Sequence, residues 1–102
     1  MMRSLSLLFV MSLLSADDSS ALSKASAALN AGLFEEALGH ISVAQKENPK
    51  NADMHRMKAF LHEALDDPEN ALESWKRCLK YSKDKKIRRE AKIHIKNLTV
   101  DQ

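Results

Sequence analysis

Histidine and cysteine are the side chains of this sequence whose types and spacing are suited to chemistry. His55 and His62 lie seven residues apart, which places them on one face of a helix, where they could hold a metal ion if a third ligand converged. Cys78 is the single cysteine, so the chain cannot form an internal disulfide. No carboxylate pair and no Ser-His-Asp or Cys-His arrangement has a spacing that supports catalysis. The sequence therefore predicts a protein that is not an enzyme and that holds no metal and no cofactor.

Composition sets the scale of the structure that must position these side chains. The chain has 102 residues, of which 44% are hydrophobic and 29% are charged, with two glycines and two prolines. These values are typical of one small helical domain and not of a disordered or loop-rich chain. A domain of this size buries a modest fraction of its surface, so we expect marginal stability.

Charge is divided unevenly along the chain, although the net charge is only +2. The segment Asp17–Trp75 has five basic residues against eleven acidic ones, a net charge of −6, whereas Lys76–Lys96 has ten against two, a net charge of +8. The basic segment leaves nucleic-acid binding open as an alternative function. Its one flanking aromatic residue that could stack on a base is Tyr81.

The first residues have the layout of a secretory signal peptide. Arg3 precedes the ten-residue apolar run Leu5–Leu14, and small and polar residues follow. We predict a signal peptide over residues 1–21, cleaved between about 16 and 21, and an exported product that is periplasmic or secreted, in a bacterial envelope. The apolar run is too short to span a bilayer, so the mature chain is expected to have no membrane span. The alternative is an apolar N-terminal helix in a cytosolic protein.

Helical spacing of the apolar residues predicts the rest of the structure, since no segment alternates like a strand. We predict five helices, over residues 18–31, 34–47, 52–65, 68–82 and 84–98. Asp17 or Asp18 is expected to cap the first helix, and Gly32 to end it. The dipeptide Asn48-Pro49 ends the second helix, and Asp67-Pro68 begins the fourth. Lys and Arg are expected to give the fifth helix a solvated outer surface.

A shift of thirty-four residues superimposes two copies of one pattern, as a structural repeat does. The turn Gly32-Leu33 falls on Asp66-Asp67, and elsewhere small residues fall on small ones and large apolar residues on large apolar ones. Small residues let two helices approach closely, and a large one fills the groove beside them. The matched pairs are Ala25 and Ala59, Ala37 and Ala71, Leu38 and Leu72, Ile41 and Trp75, and Ala44 and Cys78.

The pattern resembles the tetratricopeptide repeat (TPR), a family whose units fold as two antiparallel helices. Besides the matched pairs, Gly32 stands at the family's turn glycine, Phe34 at its aromatic position and Pro49 at its closing proline. The resemblance implies an all-α fold, a TPR-like α-solenoid of antiparallel helix-turn-helix repeats, in a domain over residues 22–98. The repeats are expected over residues 18–51 and 52–83, followed by a closing helix over 84–98.

The same resemblance implies structural roles for the side chains named first. His55 and His62 stand where the family has packing aromatic residues, so the resemblance favours core histidines over a metal site. Cys78 stands at a buried small position, where we expect an inert packed thiol.

In this family the first helix of each pair lines a concave groove that binds peptides or partner helices. The resemblance therefore implies a non-enzymatic protein–protein interaction module, whose partner we expect to present an acidic or amphipathic segment. The groove would be lined by Leu22, Ser26, Asp53, Arg56, Met57, Phe60, Glu63, Lys85, Arg88, Arg89 and Lys92. The candidate partner-binding residues among them are Arg56, Phe60, Glu63, Lys85, Arg88, Arg89 and Lys92.

Two departures qualify the expected partner. Leu22, Ser26 and Met57 stand where chaperone-binding members of the family carry their clamp for a terminal carboxylate, so that ligand is not expected. Two repeats and a closing helix are also fewer than the roughly three repeats that a stable stack needs. Self-association or a bound partner is therefore expected to complete the core.

Overall fold

The structure, a computed structural model, describes residues 20–100, and this range contains five α-helices and no strand. The helices are α1 (Ala21–Asn30), α2 (Phe34–Glu47), α3 (Ala52–Ala64), α4 (Pro68–Tyr81) and α5 (Lys85–Val100). The predicted all-α fold is therefore confirmed over the described range. All but the last two positions of the predicted signal peptide lie outside the described residues.

Helix α1 begins later than predicted. Ser20 is its N-cap, with an extended backbone (φ −61°, ψ 149°) and a side-chain oxygen that accepts a hydrogen bond from the Ser23 N–H over 3.1 Å. The prediction of a helix from residue 18 with Asp17 or Asp18 as its cap is wrong. A serine hydroxyl oxygen can accept this hydrogen bond as an aspartate oxygen can, and Ser20 lies directly before Ala21, the first residue of the helix.

Side-chain caps also begin the last three helices. The Asn51 side chain accepts from a backbone N–H in the first turn of α3 over 3.2 Å. Asp67 does the same for α4 over 3.4 Å, with Pro68 in the first turn, so the predicted start of this helix is confirmed. Asp84 accepts from two backbone N–H groups of α5, over 2.8 and 3.2 Å. These acceptors satisfy donors that a helix N-terminus leaves unpaired.

The turns between α1 and α2 and between α3 and α4 share one geometry. Gly32 has φ 79° and Asp66, thirty-four residues later, has φ 57°, both in the left-handed region. Each donates its N–H to the carbonyl three residues back over 3.0 Å, and the next N–H donates five residues back, over 2.9 and 2.8 Å. Helices commonly end with such a left-handed residue. The repeat found in the sequence is therefore also a repeat of backbone geometry.

Successive helices pack against each other, and α1 also contacts α3. His55 near the start of α3 contacts Tyr81 at the end of α4, whereas Glu63 near the end of α3 contacts Trp75. Helices α3 and α4 therefore run antiparallel. The connections between helices are three or four residues long, which is typical of antiparallel neighbours.

The buried side chains form two clusters. The first joins α1, α2 and α3 and consists of Ala25, Ala28, Ala37, Ile41, Ala44, Met54 and Leu61. The second joins α3, α4 and α5 and consists of Ala59, Trp75, Cys78 and Ala91. Ile87, Ile95 and Leu98 of α5 pack against the second cluster, so α5 turns an apolar face toward α4.

Four of the five pairs matched by the thirty-four-residue shift are buried in both copies, and the fifth pair, Leu38 and Leu72, is half-buried. Each of the four matched alanines, Ala25 with Ala59 and Ala37 with Ala71, has no exposed surface. Ile41, which pairs with the fully buried Trp75, is 1% exposed. Small residues in both copies thus lie where helices approach most closely, as close packing requires.

Candidate partner-binding site

Side chains of α3 and α5 meet across the candidate groove. The Arg56 guanidinium pairs with both carboxylate oxygens of Glu90, with a distance of 3.1 Å between Nη2 and Oε2. Two turns after Arg56 on α3 and one turn after Glu90 on α5, Glu63 Oε2 lies 2.9 Å from His94 Nδ1. Both contacts advance in the same direction along the two helices, so α3 and α5 run parallel. The helices that were predicted to line one groove are therefore brought together by charged and polar bridges.

Phe60 lies between these two bridges and is half-buried. Its ring packs edge-on against Trp75, with 4.9 Å between ring centroids, and edge-on against His94 at 5.6 Å. The Arg56 guanidinium carbon lies 5.1 Å from the centre of the same ring, within the range of a cation–π interaction. Phe60 was predicted as a partner-binding residue, and the structure shows that it contributes to internal packing.

Glu63 is a second predicted groove residue with internal partners. Its Oε2 accepts a hydrogen bond from the Trp75 indole N–H over 2.7 Å. His94, which reaches the same carboxylate, stacks on the Trp75 ring with 4.3 Å between centroids and 19° between planes. Satisfying the indole N–H matters because Trp75 has no exposed surface. Glu63 therefore links the core to the groove.

Sequence reasoning missed Glu90 and His94 as members of this network. Glu90 is the one acidic residue among the sixteen of α5, and it lies opposite Arg56 of α3. An isolated acidic residue within a basic helix is a signal that could have indicated an ion pair. The contact of His94 with Trp75 depends on how α5 docks, which spacing alone does not give.

The basic candidates on α5 divide into two kinds. Arg88 is half-buried, and its guanidinium donates to the carbonyls of Leu79 and Ser82, the second over 3.1 Å. These carbonyls belong to the C-terminal end of α4, which a cation stabilises. Arg88 therefore has a structural role. The other three basic candidates are exposed, and together with Arg88 they border a shallow depression of about 270 Å³. They are Lys85, Arg89 and Lys92.

The remaining groove residues vary in exposure. Leu22, Ser26 and Met57 are half-buried, and Asp53 is exposed. The residues of the candidate groove are therefore partly apolar on α1 and α3 and basic on α5.

His55 is a core side chain, as the resemblance implied. It has no exposed surface, and its ring stacks on Tyr81 with 5.6 Å between centroids. Nε2 lies 2.7 Å from the Pro49 carbonyl oxygen, so the neutral ring donates from Nε2, and Nδ1 has no hydrogen-bond partner. Burial lowers the pKa of His55, and the nearby cations Arg77 and Lys58 lower it further. The ring is therefore neutral at pH 7.

His62 and Cys78 complete the side chains first considered for chemistry. The His62 side chain is 12% exposed and lies 3.3 Å from an Asp67 carboxylate oxygen, in a poor alignment for a hydrogen bond. Burial raises the pKa of the Cys78 thiol to about 11, which keeps the sulfur protonated and weakly nucleophilic. Within residues 20–100, no three His, Cys, Asp or Glu side chains come together as metal ligands.

None of the five helices in the described range has the length and apolar character needed to cross a bilayer. Comparisons of the chain with protein-family models, curated proteins and solved structures find no match.

Proposed function

We propose that this chain is a non-enzymatic protein–protein interaction module built from two TPR-like hairpins and a closing helix. The repeated turn geometry at Gly32 and Asp66 and the burial of the matched alanines support the TPR-like interpretation. In such a module α1, α3 and α5 line the binding surface and α2 and α4 form its back. The side-chain bridges between α3 and α5 are the observation that carries this proposal, because they hold two of the helices expected to line the groove side by side.

The chemistry of that surface favours an acidic peptide or helix as the ligand. Lys85, Arg89 and Lys92 are exposed along its α5 edge. Half-buried Met57 and Phe60 offer apolar contact beside them. Charges at the edge raise the association rate and set the orientation of an acidic segment, and apolar contacts at the centre slow its release. Nucleic acid is the alternative ligand for the same basic edge.

The compartment of this module is part of the proposal. The basic Arg3 and the apolar run Leu5–Leu14 support export of the chain, and the partner would then belong to the cell envelope or its exterior. An exported chain is also separated from most cellular nucleic acid, which favours a protein ligand.

The test compares two charge reversals in exposed lysines. The chain is used as bait in an envelope extract, and association of the captured protein is then measured at two salt concentrations. Lys92→Glu reverses a charge at the groove edge, and we expect it to slow association about tenfold and to weaken the salt dependence. Lys76→Glu makes the same change on the exposed face of α4 and is expected to leave both quantities close to wild type.

A substitution of Phe60 is less suitable as a first test, because this side chain also packs inside the fold. Phe60→Ala would remove contacts to Trp75 and His94, so weaker binding could follow from a loosened fold. The lysine pair avoids this difficulty, because both side chains are exposed. Equal effects of the two lysine variants, or capture of nucleic acid in place of a protein, would contradict the proposal.

A further inference from the structure

Helix α5 has a second surface with a regular pattern of residues, opposite the face that packs on α4. We call it the outer stripe of α5, and it consists of Lys86, Arg89, Ile93, Lys96 and Val100. These residues follow one another at intervals of three, four, three and four, which places them on one side of the helix. All five are exposed, whereas Ala91 on the opposite side is fully buried.

The two aliphatic residues of the outer stripe are unusually open to solvent. Ile93 is 54% exposed and Val100 is 74% exposed. Single exposed aliphatic residues are common on protein surfaces and call for no explanation. Here, however, they share one stripe with three cations, and α5 was expected to present only solvated Lys and Arg on its outer surface.

No acidic side chain neutralises this stripe within the described residues. Among residues 20–100, the acidic side chains nearest in sequence are Glu90, which pairs with Arg56 of α3, and Asp84, which accepts backbone hydrogen bonds at the start of α5. Lys92 adds a further exposed cation beside the stripe. The surface is therefore positively charged along its length, with Ile93 at its centre.

We infer that the outer stripe of α5 binds the surface of an anionic phospholipid bilayer. Charge complementarity is the main reason, since each Lys or Arg close to an anionic leaflet contributes about 1 kcal/mol of attraction. The shape of the stripe is the second reason. It lies on one helix, so it can approach a flat and deformable surface, and Ile93 can enter the interface between headgroups and acyl chains. Binding of this kind is peripheral and reversible.

Nucleic acid is the competing polyanion, and the described structure favours it less. Proteins that bind single strands usually stack bases on aromatic side chains, and the outer stripe has none. Tyr81, the aromatic residue that flanks the basic segment, is itself stacked on His55. An exposed isoleucine at the centre of a cationic stripe and a valine at its end suit the lipid interface better than a phosphodiester backbone.

The experiment measures cosedimentation of the full chain with phosphatidylcholine vesicles and with mixed phosphatidylcholine–phosphatidylglycerol vesicles. The quantity compared is the ratio of the two partition coefficients. Binding through the apolar run Leu5–Leu14 would contribute to both coefficients and therefore cancels in their ratio. We expect a clear preference for anionic vesicles that declines as salt is added. Lys86→Gln with Lys96→Gln should lower the ratio about twenty-fivefold, about fivefold for each charge.

Matched controls separate this surface from general basicity and from the groove. Lys24→Gln with Lys46→Gln removes two exposed lysines from α1 and α2 and should leave the ratio close to wild type. Ile93→Ser should weaken binding to anionic vesicles without reducing its salt dependence, since it removes the aliphatic contact and no charge. None of these residues belongs to the candidate groove, so failure here leaves the proposed protein ligand untouched.

Three results would overturn the inference. One is the absence of any preference for anionic vesicles at low salt. Another is an equal loss in the α1–α2 control pair. The third is tight binding of a DNA oligonucleotide that Ile93→Ser does not alter, combined with no vesicle binding. Circular dichroism of each variant confirms that the helices are retained, and we expect this because every substituted side chain is exposed.

Discussion

Two glycines show how one residue type serves opposite purposes in this chain. Gly32 has φ 79° and ends α1, so its lack of a side chain permits a backbone conformation that other residues adopt at a cost. Gly39 lies inside α2 with an exposed surface, where glycine only weakens the helix. At both positions a built Cβ atom meets no other atom within 4 Å, so backbone conformation alone decides the effect of a side chain.

We therefore predict opposite effects of the same substitution at these two sites. Gly32→Ala should lower the free energy of unfolding by about 1 kcal/mol, because alanine disfavours the left-handed conformation. Gly39→Ala should raise it by about 0.5 to 1 kcal/mol, because alanine is the better helix former. Urea unfolding monitored by circular dichroism measures both. Shifts of the same sign would contradict the assignment of the turn at Gly32.

His55 makes the stability of the fold depend on pH. Burial lowers its pKa below the ordinary value of 6.5 in the folded chain, so the unfolded chain takes up the proton first as pH falls. This contribution to stability is complete above about pH 6.5 and is lost as pH falls through the folded pKa. We expect the free energy of unfolding to decline as pH falls below about 6.5.

His55→Gln tests this origin, because glutamine retains an N–H donor near the Pro49 carbonyl oxygen but does not titrate. The variant should show a shallower decline of unfolding free energy over the same pH interval, whatever its stability at pH 7. An unchanged slope in the glutamine variant would assign the pH dependence to other groups.

At the scale of the helices, close approach depends on alanines in equivalent positions of the two hairpins. Ala71 is fully buried where α4 meets its neighbours. Ala71→Leu should lower the free energy of unfolding by about 1 to 3 kcal/mol, because the added carbons overpack the contact. Ala27→Leu places the same side chain on the exposed surface of α1 and should change stability by less than about 0.5 kcal/mol. Equal thermal midpoints for Ala71→Leu and wild type would show that the assigned repeat register is wrong.

Periodicity and end signals in the sequence predicted the helices better than the contacts between them. Helix α2 has the predicted limits, residues 34 and 47, because Gly32 and the dipeptide Asn48-Pro49 mark both ends locally. Arg56 and Glu90 are thirty-four residues apart, and their pairing depends on the docking of α5 on α3 and α4, which no local pattern encodes. The groove was therefore predicted as a set of residues, and its internal ion pairs were not.

At the scale of the whole molecule, the two halves of the described chain differ in charge and in the roles that we propose for them. The hairpin of α1 and α2 supplies five of the seven buried residues of the larger apolar cluster. The exposed cations of both proposed binding surfaces are carried by α5. Its apolar face joins the second cluster, its groove edge presents Lys85 and Lys92, and its outer stripe presents Lys86 and Lys96. One helix thus links the fold to both proposals.

Export is the prediction that concerns the chain as a whole. The order of Arg3, the apolar run Leu5–Leu14 and the small and polar residues that follow should direct cleavage, so that the mature chain begins between about residues 17 and 22. Intact-mass measurement of the protein after cell fractionation determines its first residue and its compartment together. Recovery of the uncleaved chain from the cytosol would exclude export.

The position of Trp75 has an optical consequence. It is the chain's single tryptophan, it has no exposed surface, and its indole ring touches both Glu63 of α3 and His94 of α5. Fluorescence excited selectively in tryptophan therefore originates at the junction of three helices. Undocking of α5 would expose the indole to water and shift its emission to longer wavelength while the α1–α2 hairpin remains silent. Tryptophan fluorescence therefore reports on whether α5 is packed against α3 and α4, without any attached dye.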